Sequence, residues 1–322
     1  MALFSGHPKG LIPAALANMG ERFGYYIMNA VLLLFLASKF GISDDLAGWI
    51  YAVFYFLIYV LSLPGGIVAD RLQNYKGTIM SGLLVMALGY VILAVPVFGG
   101  NPGNVPTWVL VLTCFALLLI ASGNGLFKGN LQAIVGQMYD NFEAEAAKKG
   151  PEALADARSR RDSGFQIFYV FINIGGVIAP FIAPLLREWW LKAHNFIYNA
   201  DMAGLCHQYL ANGEVTTKFT ETMANSVLPA ANYGDNLVQF CSDYILTFNQ
   251  GVHFSFIVSV IAMMISLVIF FTQKKKFPQP GKKVAAETVG YTAAEKEATY
   301  QEIKDYIFEK HGMKVSSLYI AQ

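Results

Sequence analysis

Six stretches of about 20 predominantly apolar residues run through this sequence, and that pattern leaves few folds open to it. They are Leu11–Ala37, Ala47–Ala69, Thr78–Phe98, Trp108–Phe127, Phe165–Leu186 and Val252–Phe271. As a helix, each is long enough to cross a hydrocarbon core of roughly 30 Å. Apolar residues make up 55% of the chain and charged ones 14%. A soluble domain is nearer a quarter charged, so an aqueous fold would leave hydrophobic surface it could not cover. The net charge of +1 gives no footprint for nucleic acid. The expected class is therefore an all-α membrane protein with six transmembrane helices. Leu11–Ala17 has the character of a signal-peptide core, but the run continues through Glu21 and Arg22 to Ala37, which marks a retained first helix.

The connections set the topology. Ser38–Leu46 and Gly99–Thr107 are short turns, whereas Asp140–Asp162 is charged and Ala-rich and reads as a surface helix in water. Residues 187–250 form a polar insertion before the last span at 251–272. Within it Asn199–Leu210, Lys218–Val227 and Asn236–Phe248 have helix-like spacing. Residues 273–322 form a basic linker and a charged amphipathic helix around Glu295–Lys310. With the N-terminus inside, the inner segments up to Lys283 collect Lys9, Arg71, Lys76, Lys148, Lys149, Arg158, Arg160, Arg161, Lys274, Lys275, Lys276, Lys282 and Lys283. The outer ones hold Lys39, Arg187, Lys192 and Lys218. That bias predicts a cytoplasmic N-terminus and an extracytoplasmic insertion.

Three ionisable residues fall inside predicted spans: Glu21, Arg22 and Lys128. A charge at a helix centre costs about 2.5–3.5 kcal/mol on insertion scales, so these groups need partners or water. Asn18, Arg22, Tyr25 or Tyr26, and Asn29 recur three or four apart along one stripe, with Glu21 at its edge. Such a stripe faces a bundle interior or an aqueous path. A structural Glu–Arg tie between helices and a transport site both fit it. Lys128, among Gly123, Gly125 and Gly129, belongs either to that interior or to an interface it reaches by snorkelling. Asp70 and Arg71 end the second span and suit a latch between helices.

These residues resemble the proton-dependent oligopeptide transporter (POT/PTR) family of the major facilitator superfamily. The family's Glu-x-x-Glu-Arg-Phe-x-Tyr-Tyr is matched by Asn18-Met19-Gly20-Glu21-Arg22-Phe23-Gly24-Tyr25-Tyr26, with Asn18 replacing the first Glu. Gly-Gly-x-x-Ala-Asp-Arg is intact at Gly65–Arg71. Lys128 matches the helix-four lysine, with Gly129 where proline is usual. Phe-Tyr-x-x-Ile-Asn-x-Gly is met by Phe168, Tyr169, Ile172, Asn173 and Gly175. The resemblance covers roughly residues 7–186.

The resemblance implies proton-coupled symport of di- and tripeptides across the cell membrane, as in a bacterial inner membrane, with no cofactor, no bound metal and no enzymatic activity. It assigns proton coupling to Glu21, Arg22 and Lys128, peptide binding to Arg22, Tyr25, Tyr26, Tyr59, Lys128 and Asn173, and gating to Asp70 and Arg71. The family fold has two six-helix halves, so the chain is expected to be the N-terminal half, either a fragment or a self-assembling half-transporter, with short peptides, protons, the lipid bilayer and a missing C-terminal half as partners. Alternatives are a major facilitator carrier for another small solute, or a membrane metal-binding receptor or enzyme using Cys206, His207, Cys241 and His253. The spacing of those four fits no standard zinc site. In an oxidising compartment Cys206 and Cys241 either pair or remain two separate thiols; Cys114 lies within a span.

Overall fold

The computed structural model of the protein describes residues 6–95, 104–229 and 233–278. Among them the chain forms nine α-helices: α1 (Leu11–Phe40), α2 (Asp44–Val60), α3 (Ser62–Leu72), α4 (Tyr75–Ala94), α5 (Thr107–Ala147), α6 (Pro151–Ala193), α7 (Met202–Asn212), α8 (Thr217–Ala224) and α9 (Leu237–Gln273). Counting α2–α3 as one span, six helical segments are long and apolar enough to cross a membrane: α1, α2–α3, α4, α5, α6 and α9. A helix satisfies its own backbone hydrogen bonds, which lipid cannot do for it.

Local chemistry sets the helix ends. Gly41 closes α1 in the left-handed region (φ +61°), donating its N–H to Ala37 O. Ser43 caps α2, accepting from Leu46 N, and Asp44 and Asp45 favour its positive end. The second span breaks at Leu61 because Pro64 has no N–H to continue the ladder. Asn74 then caps α4 through Gly77 N.

α1 packs between α6 and α9, and α5 lies against α4 and α3. The second contact is as close as it is because it has no side chains. A Cβ on Gly82 would lie 2.7 Å from Gly123 O, and one on Gly65 would overlap the backbone of Gly125. By contrast, α2–α3 and α6 carry much of their apolar surface outward; Leu63, for example, is 73% exposed.

The structure departs from the sequence reading in several places. Asp140–Asp162 is not a separate surface helix. α5 runs on to Ala147, the chain reverses through Gly150 (φ +121°), and α6 begins at Pro151, whose fixed φ suits a first helical turn. Arg161 holds the charged arms together, bonding Asp140 at 2.6 Å and Glu143 at 3.1 Å. Hydropathy marks only the lipid-length portion of a helix. α6 therefore passes Leu186 to reach Ala193, and α9 begins at Leu237, where Asn236 caps it through Gln239 N, rather than near Val252. The connecting segment is thus 194–236 rather than 187–250, and it carries α7 and α8. The end of the third predicted span at Phe98 and the charged helix at Glu295–Lys310 lie outside the described residues.

Candidate transport site

α1 places Glu21 and Arg22 in the bundle interior because its glycines fix its roll. Gly20 packs against the Ser266 side chain of α9 and Gly24 against Ser259 O and the Met263 side chain, and Ser259 Oγ donates to Gly24 O at 2.8 Å. Although adjacent in sequence, the two side chains form a bidentate pair: Arg22 Nε donates to Glu21 Oε2 at 2.5 Å and Nη2 to Oε1 at 2.8 Å. Glu21 is fully buried and Arg22 nearly so. A third donor comes from α5, where Asn124 Nδ2 reaches Glu21 Oε1 at 2.8 Å. Two charges removed from solvent are tolerable only with pairing this complete, and removing one partner strands the other.

One turn beyond Asn124, Lys128 extends over the ring of Tyr59, with Nζ 5.0 Å from its centroid. It makes no ion pair among the described residues. Its helix is held at this depth by the glycine contacts and by Asn130, whose Nδ2 donates to Gly65 O at 3.1 Å. Lys128 therefore lines an open cavity that it shares with Arg22 of α1 and Tyr59 of α2.

The cavity measures about 300 Å³. α1 contributes Arg22, Tyr25, Tyr26 and Asn29, α2 contributes Tyr51, Tyr55, Ile58 and Tyr59, and α5 contributes Lys128. Arg22 lies 5.2 Å from the Tyr25 ring centroid, and the Tyr55 and Tyr59 hydroxyls are 3.2 Å apart. The space thus has two cationic groups at one side, phenol hydroxyls and faces along its walls, and a buried carboxylate behind the guanidinium. That chemistry suits a small anionic or zwitterionic solute.

Of the expected residues, Arg22, Tyr25, Tyr26, Tyr59 and Lys128 meet at this cavity, and Glu21 backs it. Asn173 does not reach it: it is exposed on α6, while Gly175 of the same motif packs on Met19 O and Gly176 on the Tyr26 ring. Asp70 and Arg71 are exposed at the end of α3. Asp70 accepts from the Tyr75 hydroxyl at the start of α4, and Arg71 makes no ion pair among the described residues. Sequence reasoning missed Asn124, Tyr51 and Tyr55. The i, i+4 spacing of Tyr51, Tyr55 and Tyr59 was the available signal for the tyrosines. Asn124 gave none beyond being polar between two glycines. The two histidines of the metal-site alternative are engaged elsewhere. His253 Nε2 faces Lys39 Nζ at 3.1 Å with its Nδ1 at Leu93 O, and His207 Nε2 bonds Ser38 O. Among the described residues no group of three or more His, Cys, Asp or Glu side chains is placed to hold a metal.

Six apolar spans, three of which line a polar, charge-bearing cavity, define a multi-pass membrane protein. The sequence profile described as the POT family matches residues 76–317, and the chain belongs to that family. The peptide transporter YePEPT of Yersinia enterocolitica is 32% identical over 207 residues, covering 63% of this chain and 35% of that protein. A di-/tripeptide transporter of Lactococcus lactis is 35% identical over 192 residues, covering 58% and 33%. A crystal structure of a peptide transporter POT in complex with sulfate aligns over 99% of this chain and 50% of its own length. Its TM-score is 0.52 at 23% identity, a likeness of fold. The chain spans between about a third and just over half the length of the curated relatives it matches.

Proposed function

We propose that this chain forms the N-terminal half of a proton-coupled symporter of di- and tripeptides. The observation that carries the reading is the buried Glu21–Arg22 pair opening, together with Lys128, into a tyrosine-walled cavity. A short peptide is a zwitterion. Its carboxylate takes the place beside Arg22 and Lys128, and the tyrosines supply hydroxyls and ring faces to the backbone and side chains of varied peptides. Drawing Arg22 toward that carboxylate loosens its hold on Glu21, which then accepts a proton. Release of the peptide restores the pair and expels the proton. The peptide carboxylate and the Glu21 carboxylate thus compete for one guanidinium, so peptide binding favours protonation of Glu21 and the two movements are linked. Asn124 holds the Glu21 carboxylate in place while Arg22 changes partner. Asn173 and the Asp70–Arg71 turn are assigned to the second stage of the cycle, when the opposite half closes on the α2–α3 and α6 faces.

The Lys/Arg distribution supports a cytoplasmic N-terminus in a cell membrane such as a bacterial inner membrane, with α7 and α8 outside. In the transporter assembled from this chain and its C-terminal half, Lys128→Ala tests the mechanism. Proton-driven uptake is expected to fall while peptide counterflow persists. Equal loss in both assays would reduce Lys128 to a binding or packing role.

A further inference from the structure

The segment joining α6 to α9 is too small to hold itself together by apolar burial alone. Among the described residues it has two short helices and a single bridge from Phe196 to Val227, and its buried Phe196 and Phe219 pack on Phe240 and Tyr244 of α9. Segments of this size ordinarily need a staple. Cys206 projects from α7 and Cys241 from the second turn of α9, and both are fully buried. α7 packs on α9, and both cysteines belong to one buried cluster. Cys114, the third cysteine, is exposed on α5 beside Trp49 and Leu118. His207, the neighbour of Cys206, bonds Ser38 O at 2.7 Å, so whatever fixes α7 to α9 also fixes it to the end of α1.

We infer that Cys206 and Cys241 are joined by a disulfide that staples α7 to α9 and so seats the connecting segment on the mouth of the bundle. The inference rests on the outward orientation proposed above, because only there is an oxidant at hand. Burial and the neighbouring sulfur push the Cys206 thiol up, and both cysteines are closed to an oxidase once α7 has docked, so the bond forms as the segment folds. A thiol–disulfide oxidase supplies the chemistry. One cysteine thiolate attacks the oxidase disulfide to give a mixed disulfide, and the second then displaces the oxidase thiolate. One S–S bond forms in the transporter and one is lost in the oxidase, which leaves as a dithiol carrying both protons and both electrons.

The test is alkylation of the full chain, purified from membranes, with N-ethylmaleimide in denaturant without reductant, read by intact mass. A single adduct on Cys114 is expected, rising to three after reduction, and the thermal midpoint should fall when the native protein is reduced. Cys206→Ser should show two adducts without reductant, which identifies the partners. Three adducts in the unreduced parent, or one in Cys206→Ser, would overturn the pairing. Labelling Val215→Cys on intact cells with a membrane-impermeant maleimide separates this failure from one of orientation. Label with three free thiols sinks the disulfide alone; no label with three free thiols sinks both.

Discussion

Gly65 and Gly66 are neighbours on α3, and replacing each by alanine should have opposite effects. A Cβ on Gly65 would run into the carbonyl of Gly125 and come within 3.0 Å of Leu126 N, all backbone of α5, which cannot rotate aside. A Cβ on Gly66 meets nothing within 4 Å. The first substitution forces two packed helices apart, an overpacking cost of about 1–3 kcal/mol. The second adds no clash and removes the helix penalty of glycine, a gain of about 0.5–1 kcal/mol. At about 2–4 °C per kcal/mol for a domain of this size, the two variants should lie on opposite sides of the parent. Gly65→Ala should sit several degrees below it and Gly66→Ala at or slightly above it. Thermal unfolding in detergent, followed by tryptophan fluorescence, measures this. Because Gly125 is three residues before Lys128, Gly65→Ala should also weaken peptide binding. Equal thermal midpoints for the two variants would refute the close approach of α3 to α5 on which the placement of Lys128 depends.

Further predictions concern the polar groups. Asn124→Ala removes a charge-assisted hydrogen bond worth about 1.5–3 kcal/mol, so proton-driven uptake in liposomes should drop about 10–100-fold; uptake within twofold of the parent would exclude Asn124 from the coupling group. Lys128→Ala should lower uptake while sparing counterflow, as set out above. Burial holds the His207 ring below the ordinary imidazole range, partly offset by its bond to Ser38 O. The unfolded chain therefore takes up this proton more readily than the folded one, and the contribution is complete above about pH 6.5 and lost as pH falls below it. His207→Gln should flatten the fall in thermal midpoint between pH 7.5 and pH 5; an unchanged slope would contradict the buried neutral ring.

Much of the fold can be read from the chain because lipid imposes a length and a composition on every span. The charges at Glu21, Arg22 and Lys128 stand out against that background for the same reason: they are expensive where they sit. What the sequence conceals is set by geometry between helices. Asn124 becomes a ligand to Glu21 only because Gly82 and Gly123 let α5 approach α4 closely. The tyrosines of α2 become one wall of the cavity only by lying opposite Arg22 of α1 and Lys128 of α5, and Tyr55 and Tyr59 stay exposed there. Asn173 shares a motif with Gly175 and Gly176, yet those glycines press against α1 while Asn173 points away from the cavity. Helix ends were also misjudged, at 140–162 and before Val252. A helix does not stop at the membrane surface, and hydropathy says nothing about the part beyond it.

The central claim is that the Glu21–Arg22 pair couples a proton to a peptide. It is tested most directly by dipeptide uptake into proteoliposomes holding the transporter assembled from this chain and its C-terminal half, with and without an inward proton gradient. The parent should accumulate dipeptide only with the gradient. Arg22→Ala, which removes both the carboxylate partner and the counter-charge of Glu21, should abolish accumulation and equilibrium binding of the same dipeptide. Gradient-driven accumulation by Arg22→Ala within twofold of the parent would contradict the account.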